Sequence, residues 1–223
     1  MKLNVPLVAD CGWGSNWLEA TYQDNMPLAA ELKADFEWAK SIAVGPGLSM
    51  NVAAAEITRC VLERDDKVRI LDADALNIIA GEHIDYKGSR EGQIIITPHI
   101  MEMSRLTGKT VADIKEHMIE SAKEYAIQHS CICILKDART VVTDGQKVYI
   151  NCTGNDGMST GGCGDVLTGL IAGMTAMGLD AFEAACLSVY VHGKAGDYAA
   201  SGKGRVGMTA ADVSEAIAYV LKR

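Results

Sequence analysis

The chain has 223 residues, 48% of them hydrophobic, and a formal charge of −8. That length supports one domain with a substantial core, while the acidic balance argues against a nucleic-acid partner held by a broad basic surface. No apolar run approaches the roughly 20 residues of a membrane span, the amino terminus has too short an apolar stretch for a signal peptide, and the seven cysteines lack zinc-ligand spacing.

In chain order, the first forty residues give few signals. Positions 28–40 have a helical pattern, whereas Cys11-Gly-Trp-Gly-Ser-Asn-Trp17 matches no element. Apolar, β-rich runs then alternate with helical patterns. Strands are predicted at 41–45, 68–71, 93–97 and 131–136, and helices at 50–64, 73–81, 99–107 and 111–129. In the last helix Val111, Ile114, Met118, Ala122 and Tyr125 share one face, with Lys115, Glu116, Lys123 and Glu124 on the other. Near-continuous apolar strands separated by helices imply a mostly parallel sheet covered on both sides.

Cys131 and Cys133 alternate with isoleucines, so one strand face accounts for them as small core residues, and a reducing cytoplasm is the compartment implied. Segments 139–143 and 147–151 flank Asp144-Gly145, a hairpin signal. Helices are predicted to the end of the chain, at 165–177, 181–200 and 209–222. With no internal repeat or linker, a single α/β domain over 1–223 is expected.

The chemistry concentrates in Asn155-Asp-Gly-Met-Ser-Thr-Gly-Gly-Cys-Gly-Asp-Val-Leu-Thr-Gly169. Gly157, Gly161, Gly162 and Gly164 precede Asp165 at a predicted helix start. Glycines there leave bare N–H groups, and the positive end of the helix dipole, open to an anion. A carboxylate beside such a nest repels phosphate, which suits it to act as a base on a hydroxyl that attacks a phosphoryl group. The plainer reading is a tight turn with an aspartate in the first helical turn. Two familiar nucleotide signatures are absent. Gly45-Pro-Gly-Leu-Ser-Met50 has Met where the dinucleotide fingerprint needs its third glycine, and Gly202-Lys203 lacks the earlier glycine of a P-loop.

The stretch from Thr160 to Gly173, followed by Val191-His-Gly-Lys-Ala-Gly-Asp197, resembles the ribokinase-like NAD(P)H-hydrate dehydratases, which restore hydrated NADH and NADPH. Val44-Gly-Pro-Gly-Leu48, Leu71-Asp-Ala-Asp-Ala-Leu-Asn77 and Ile96-Thr-Pro-His99 with Glu102-Met103 resemble that family in the same order. The resemblance implies a ribokinase-like fold, a homo-oligomer, and ADP or ATP as phosphoryl donor. Magnesium would bridge nucleotide oxygens without a dedicated protein cage.

The resemblance also distributes roles. It makes Gly47 and His99 contacts to the hydrated nicotinamide, and assigns the loop Lys136, Asp137, Ala138, Arg139 and Thr140 to the nucleotide. Phosphate is expected at Gly161, Gly162 and Gly164, with Asp165 taking the hydroxyl proton, its pKa depressed by the helix start. Ser49 replaces the family's usual glycine, Ile100-Met101 its usual Pro-Gly, and Asp137 its usual glycine.

Other residues stay open between roles. His99 also reads as a cap, and Gly45-Pro-Gly47 as a plain turn. Asp72 and Asp74 read as caps for the next helix or as ligand or magnesium-linked groups. His192 and Asp197 read as structural. Family members begin with a Gly-containing strand–loop–helix segment on the substrate side, which the first forty residues are expected to lack. That absence suggests a silent nucleotide-binding subunit as one alternative; the other is a small-molecule kinase of the same fold, using the same nest and Asp165 but releasing the phosphorylated product.

Overall fold

The computed structural model describes residues 7–8, 32, 35–88 and 93–222. Seven strands form one sheet in sequential order: β1 (Leu7–Val8), β2 (Ser41–Val44), β3 (Val68–Leu71), β4 (Ile94–Ile96), β5 (Ile132–Leu135), β6 (Val141–Thr143) and β7 (Val148–Ile150). Pairing is parallel from β1 to β5 and antiparallel for the closing β6–β7 hairpin. The mostly parallel α/β sheet predicted from the apolar runs is therefore present.

Alternation along the strands builds two cores. Ile42, Val44, Leu71, Ile94, Ile96, Cys133 and Leu135 face one side. There they meet α1 (Val52–Leu62), α2 (Ala73–Gly81), α3 (Ile100–Thr107), α4 (Val111–Glu116) and α5 (Met118–His129). The intervening residues Ala43, Ile70, Ile95, Ile132 and Ile134 face the other side. They form one cross-strand row, with Ala43 opposite Ile70, Ile70 opposite Ile95 and Ile95 opposite Ile132. That row packs on α6 (Cys163–Ala176) and α7 (Ala181–Lys203) through Leu167, Ile171, Ala185 and Val189. A third cluster seats α8 (Ala210–Val220) on α7 through Ala195, Ala199, Val213 and Ala216. A strand buried on both faces has no polar side to show, which is why these runs read as continuous apolar sequence.

Local chemistry sets most boundaries. Asn51 caps α1 by accepting from the Ala54 N–H at 2.8 Å. The hairpin loop spans 144–147, with Asp144 Oδ1 accepting from the Gln146 and Lys147 amides at 2.8 and 2.7 Å. The helix predicted over 111–129 is two helices. Its hydrophobic period runs through, but the backbone breaks at His117 (φ −127°, ψ 49°), and no glycine or proline marks the break. The helix predicted from 165 starts at Cys163, and the one predicted to 200 runs to Lys203. Of the segment 28–40, residues 32 and 35–38 are helical and 39–40 are not, while 28–31 and 33–34 fall outside the described residues together with Cys11–Trp17 and any substrate-side segment near the amino terminus.

Candidate active site

Four parallel strands end side by side and each hands over a polar or glycine residue. β2 exits into Gly45-Pro46-Gly47, β3 into Asp72, β4 into Thr97-Pro98-His99, and β5 into Lys136. The carboxyl edge of such a sheet is where open α/β folds bind ligands. His99 and Lys136 form a parallel bridge beyond the strands, and the Lys136 N–H donates to the Pro98 carbonyl at 2.8 Å.

The amino end of α6 closes over this edge. Its N-cap is Gly162, held at φ 89°, a left-handed conformation that suits glycine. A glycine cap has no side chain to offer, so the amides of the first turn stay free. Among the described residues, the N–H groups of Gly161, Gly162, Gly164 and Asp165 donate to no carbonyl or side chain. The turn before them is anchored from α7, where Asp197 accepts from the Gly154 N–H and from Asn155 Nδ2, both at 3.1 Å. Asp197 is thus structural, as the sequence suggested. His192, also on α7, is buried, and burial pushes its imidazole down to about 4, which leaves it neutral.

Asp165 is the third residue of α6, and its side chain is exposed with no hydrogen bond among the described residues. The plain capping reading therefore has no support in the geometry. The expected pKa depression is corrected. Partial burial and the neighbouring carboxylate of Asp72 raise the Asp165 carboxyl above its ordinary value, and the opposing pull of Lys136 does not cancel them. Proximity to Asp72, which lies on another strand, was invisible in local sequence.

Asp72 occupies the cap position of α2 but makes no cap hydrogen bond. Its side chain turns the other way. Oδ1 accepts from Lys136 Nζ at 2.8 Å and Oδ2 from the Thr168 hydroxyl at 2.7 Å. Burial alone would raise this carboxyl, but the Lys136 ammonium and the hydroxyls of Thr97 and Thr168 outweigh it and hold it below the usual aspartate value. The capping reading of Asp72 is thus overturned by a buried ion pair. Asp74 accepts from the Ser49 N–H at 2.8 Å, joining the β2 exit to α2. Ser49 sits at φ 66°, the region glycine favours, which explains why a glycine is usual there.

His99 is a cap. Its Nδ1 accepts from the Glu102 N–H at 3.0 Å while Glu102 accepts from the His99 N–H at 2.8 Å, a reciprocal capping box that starts α3 at Ile100 without a proline. Burial and the nearby Lys136 lower the imidazole pKa, so the ring is neutral; its other nitrogen, Nε2, lies 3.4 Å from Glu102 Oε1, and the side chain as a whole is half-exposed. Gly47 lies exposed in the β2 turn. Lys136 and Thr140 are half-buried, whereas Asp137, Ala138 and Arg139 form an exposed tip, where Arg139 donates to the Ala138 carbonyl. Sequence reading missed Thr168. It lies one helical turn beyond Asp165, on the same face of α6, and that spacing was the available signal.

Comparison with known proteins gives a consistent picture. A family model described as NAD(P)H-hydrate dehydratase matches residues 15–219. A bifunctional NAD(P)H-hydrate repair enzyme from Moorella thermoacetica is 45% identical over 183 residues, covering 81% of this chain and 34% of that protein. The chain thus spans about a third of the length of the bifunctional relatives it matches. Among solved structures, the ADP/ATP-dependent NAD(P)H-hydrate dehydratase from Bacillus subtilis, co-crystallised with ATP and Mg2+ and soaked with CoA, superposes with a TM-score of 0.73 at 33% identity, covering 81% of this chain and 65% of that one. A ribokinase-like superfamily protein from Enterococcus faecalis gives a TM-score of 0.76 at 27% identity, covering 86% and 66%. The ribokinase-like fold inferred from the motifs is therefore correct.

Proposed function

The chain belongs to the NAD(P)H-hydrate dehydratase family, and from that premise we propose that it uses ADP or ATP to dehydrate hydrated NADH or NADPH, as one domain over 1–223. The observation that carries this reading is the pairing of amides at 161, 162, 164 and 165 with a carboxylate at Asp165, none of which is hydrogen-bonded among the described residues. The amides suit the transferred phosphoryl group, and the carboxylate suits the hydroxyl that attacks it.

Hydroxide is a poor leaving group, so the ring hydroxyl is first phosphorylated. Asp165 takes its proton as the oxygen attacks the terminal phosphorus, whose bond to the rest of the nucleotide breaks to release AMP from ADP or ADP from ATP; a raised carboxyl pKa makes that aspartate a better base than an ordinary one. Phosphate then leaves as its C–O bond breaks, the neighbouring ring carbon gives up a proton, and the ring double bond returns. Gly161, Gly162 and Gly164 present the amides, and Lys136 adds positive charge below them. The loop Asp137–Thr140 would serve the rest of the nucleotide, and Gly47 and the half-exposed ring of His99 the nicotinamide side.

Among the described residues no cluster of three or more His, Cys, Asp or Glu side chains could hold a metal ion, and Asp72 is engaged by Lys136 and Thr168. Magnesium would arrive on the nucleotide, where it would offset phosphate charge. Described cysteines without disulfides fit a reducing cytoplasm, and the family likeness supports a homo-oligomer. The test is incubation with hydrated NADH plus ADP or ATP, following the return of reduced-nicotinamide absorbance and released phosphate. A stable phosphomonoester would instead identify a kinase of the same fold. Nucleotide binding without turnover would identify a silent subunit.

A further inference from the structure

We propose that Asp72 is a positioning residue, whose buried carboxylate holds the Lys136 ammonium against the amino end of α6 so that an incoming phosphate meets a fixed positive charge. The proposal rests on the nucleotide reading above and assigns to Asp72 a role that acts through Lys136.

The geometry is specific. Lys136 Nζ lies 2.8 Å from Asp72 Oδ1, and a methyl group built on Gly164 would sit 3.6 Å from that same Nζ and 3.7 Å from Asp72 Oδ2. The pair thus lies directly under the first turn of α6, beside the free amides of Gly164 and Asp165. A lone ammonium there would be repelled, because the amino end of a helix carries partial positive charge and favours anions. Its chain would relax toward the exposed tip at 137–139 and into water.

Asp72 removes that preference. Its side chain is 2% exposed, it is ionised, and its second oxygen is fixed by Thr168 of α6 itself. Three elements, β3, β5 and α6, are therefore locked to one another through this carboxylate. An ammonium has three donors, and one is spent on Asp72. The other two can serve a phosphate while the pair as a whole adds no net charge to oppose the helix dipole.

Two measurements on the full chain test this. Asp72→Asn keeps the size and the Thr168 bond but removes the charge that restrains Lys136. Calorimetry with ADP and with adenosine should show the variant binding ADP at least about tenfold more weakly, the scale of one charge-assisted hydrogen bond, with adenosine binding unchanged. A crystal structure of the variant should show Lys136 Nζ withdrawn from Gly164. Equal ADP affinity in variant and wild type, or an unmoved Lys136, overturns the proposal. So does an equal loss for adenosine, which marks general damage. Wild-type protein that fails to bind ADP refutes the nucleotide reading, and the variant structure still decides where Lys136 sits. Should Asp72→Asn not fold, Thr168→Val removes one restraint and is expected to weaken ADP in the same direction by a smaller factor. An unchanged affinity in that variant overturns the proposal equally.

Discussion

Asp165→Asn separates catalysis from capping in one protein. The side chain makes no hydrogen bond among the described residues and sits at the third position of α6, so its favourable contribution to stability comes from the helix dipole. For an exposed site that is about 0.3–1 kcal/mol. Against it stand burial and the Asp72 charge, which raise the carboxyl above its ordinary value.

The sign matters. A carboxyl whose folded pKa lies above its unfolded one makes the ionised form costly to the fold, and that cost is present at neutral pH and relieved as pH falls. Asparagine is neutral at every pH and removes it. The two effects oppose, so the melting temperature should shift by less than about 3 °C in a chain of this size. Turnover should fall by about 10²–10⁴-fold, which is roughly 2.7–5.5 kcal/mol of barrier. The assay is the return of reduced-nicotinamide absorbance with ADP or ATP, measured beside nucleotide affinity and melting temperature. In wild type the acid limb of the rate should fall at a pH above the ordinary aspartate range, and in the variant that limb should vanish from the residual rate. Turnover within about tenfold of wild type, or an acid limb shared by both proteins, refutes the assignment.

Gly161→Ala and Gly164→Ala test whether the glycines serve a ligand. A methyl at 161 meets no atom within 4 Å and one at 164 stays 3.6 Å from its nearest neighbour, so melting should hold while ADP affinity drops about tenfold or more. Gly45→Ala should behave in the opposite way, because its methyl would lie 1.8 Å from the Asp72 carbonyl oxygen at a φ of +125°. A loss of about 2–4 kcal/mol, measured by denaturant unfolding, is expected from overpacking and backbone strain. The Asp72 carboxyl has a folded pKa below its unfolded one, so its stabilisation is present above the ordinary aspartate value and lost as pH falls through the folded one. The acid side of the wild-type melting profile should therefore be steeper than that of Asp72→Asn.

Much of this site was legible because its chemistry is local. Glycines ahead of a helix, a histidine after Thr-Pro and a lysine at a strand end are all one-segment signals, and the structure sets them along one sheet edge. What stayed hidden was every relation between segments. Asp72 read as a cap from its neighbours, yet its partners Lys136 and Thr168 lie 64 and 96 residues away. The raised pKa of Asp165 has the same origin, since the helix start argues for depression and only the fold brings the second carboxylate near. His99 shows the reverse case. Glu102 three residues on was a visible capping signal, and the imidazole nitrogen it engages is withdrawn from any other duty. The break at His117 had no sequence signal, and nothing in its neighbours accounts for it.

The collision foreseen at Gly45 describes more than a fragile position. The turn that leaves β2 rests on the backbone of Asp72 with no room for a methyl group, and the Ser49 amide is hooked to Asp74 just beyond. If the site is occupied as proposed, its nicotinamide side and its phosphate side would in this way be two surfaces of a single block, with no slack at their join. A ligand spanning both would find its two contacts already in register, and little of its binding energy would go into ordering the protein. Adaptation to differently shaped ligands would fall to the exposed tip at 137–139, which stands clear of that block.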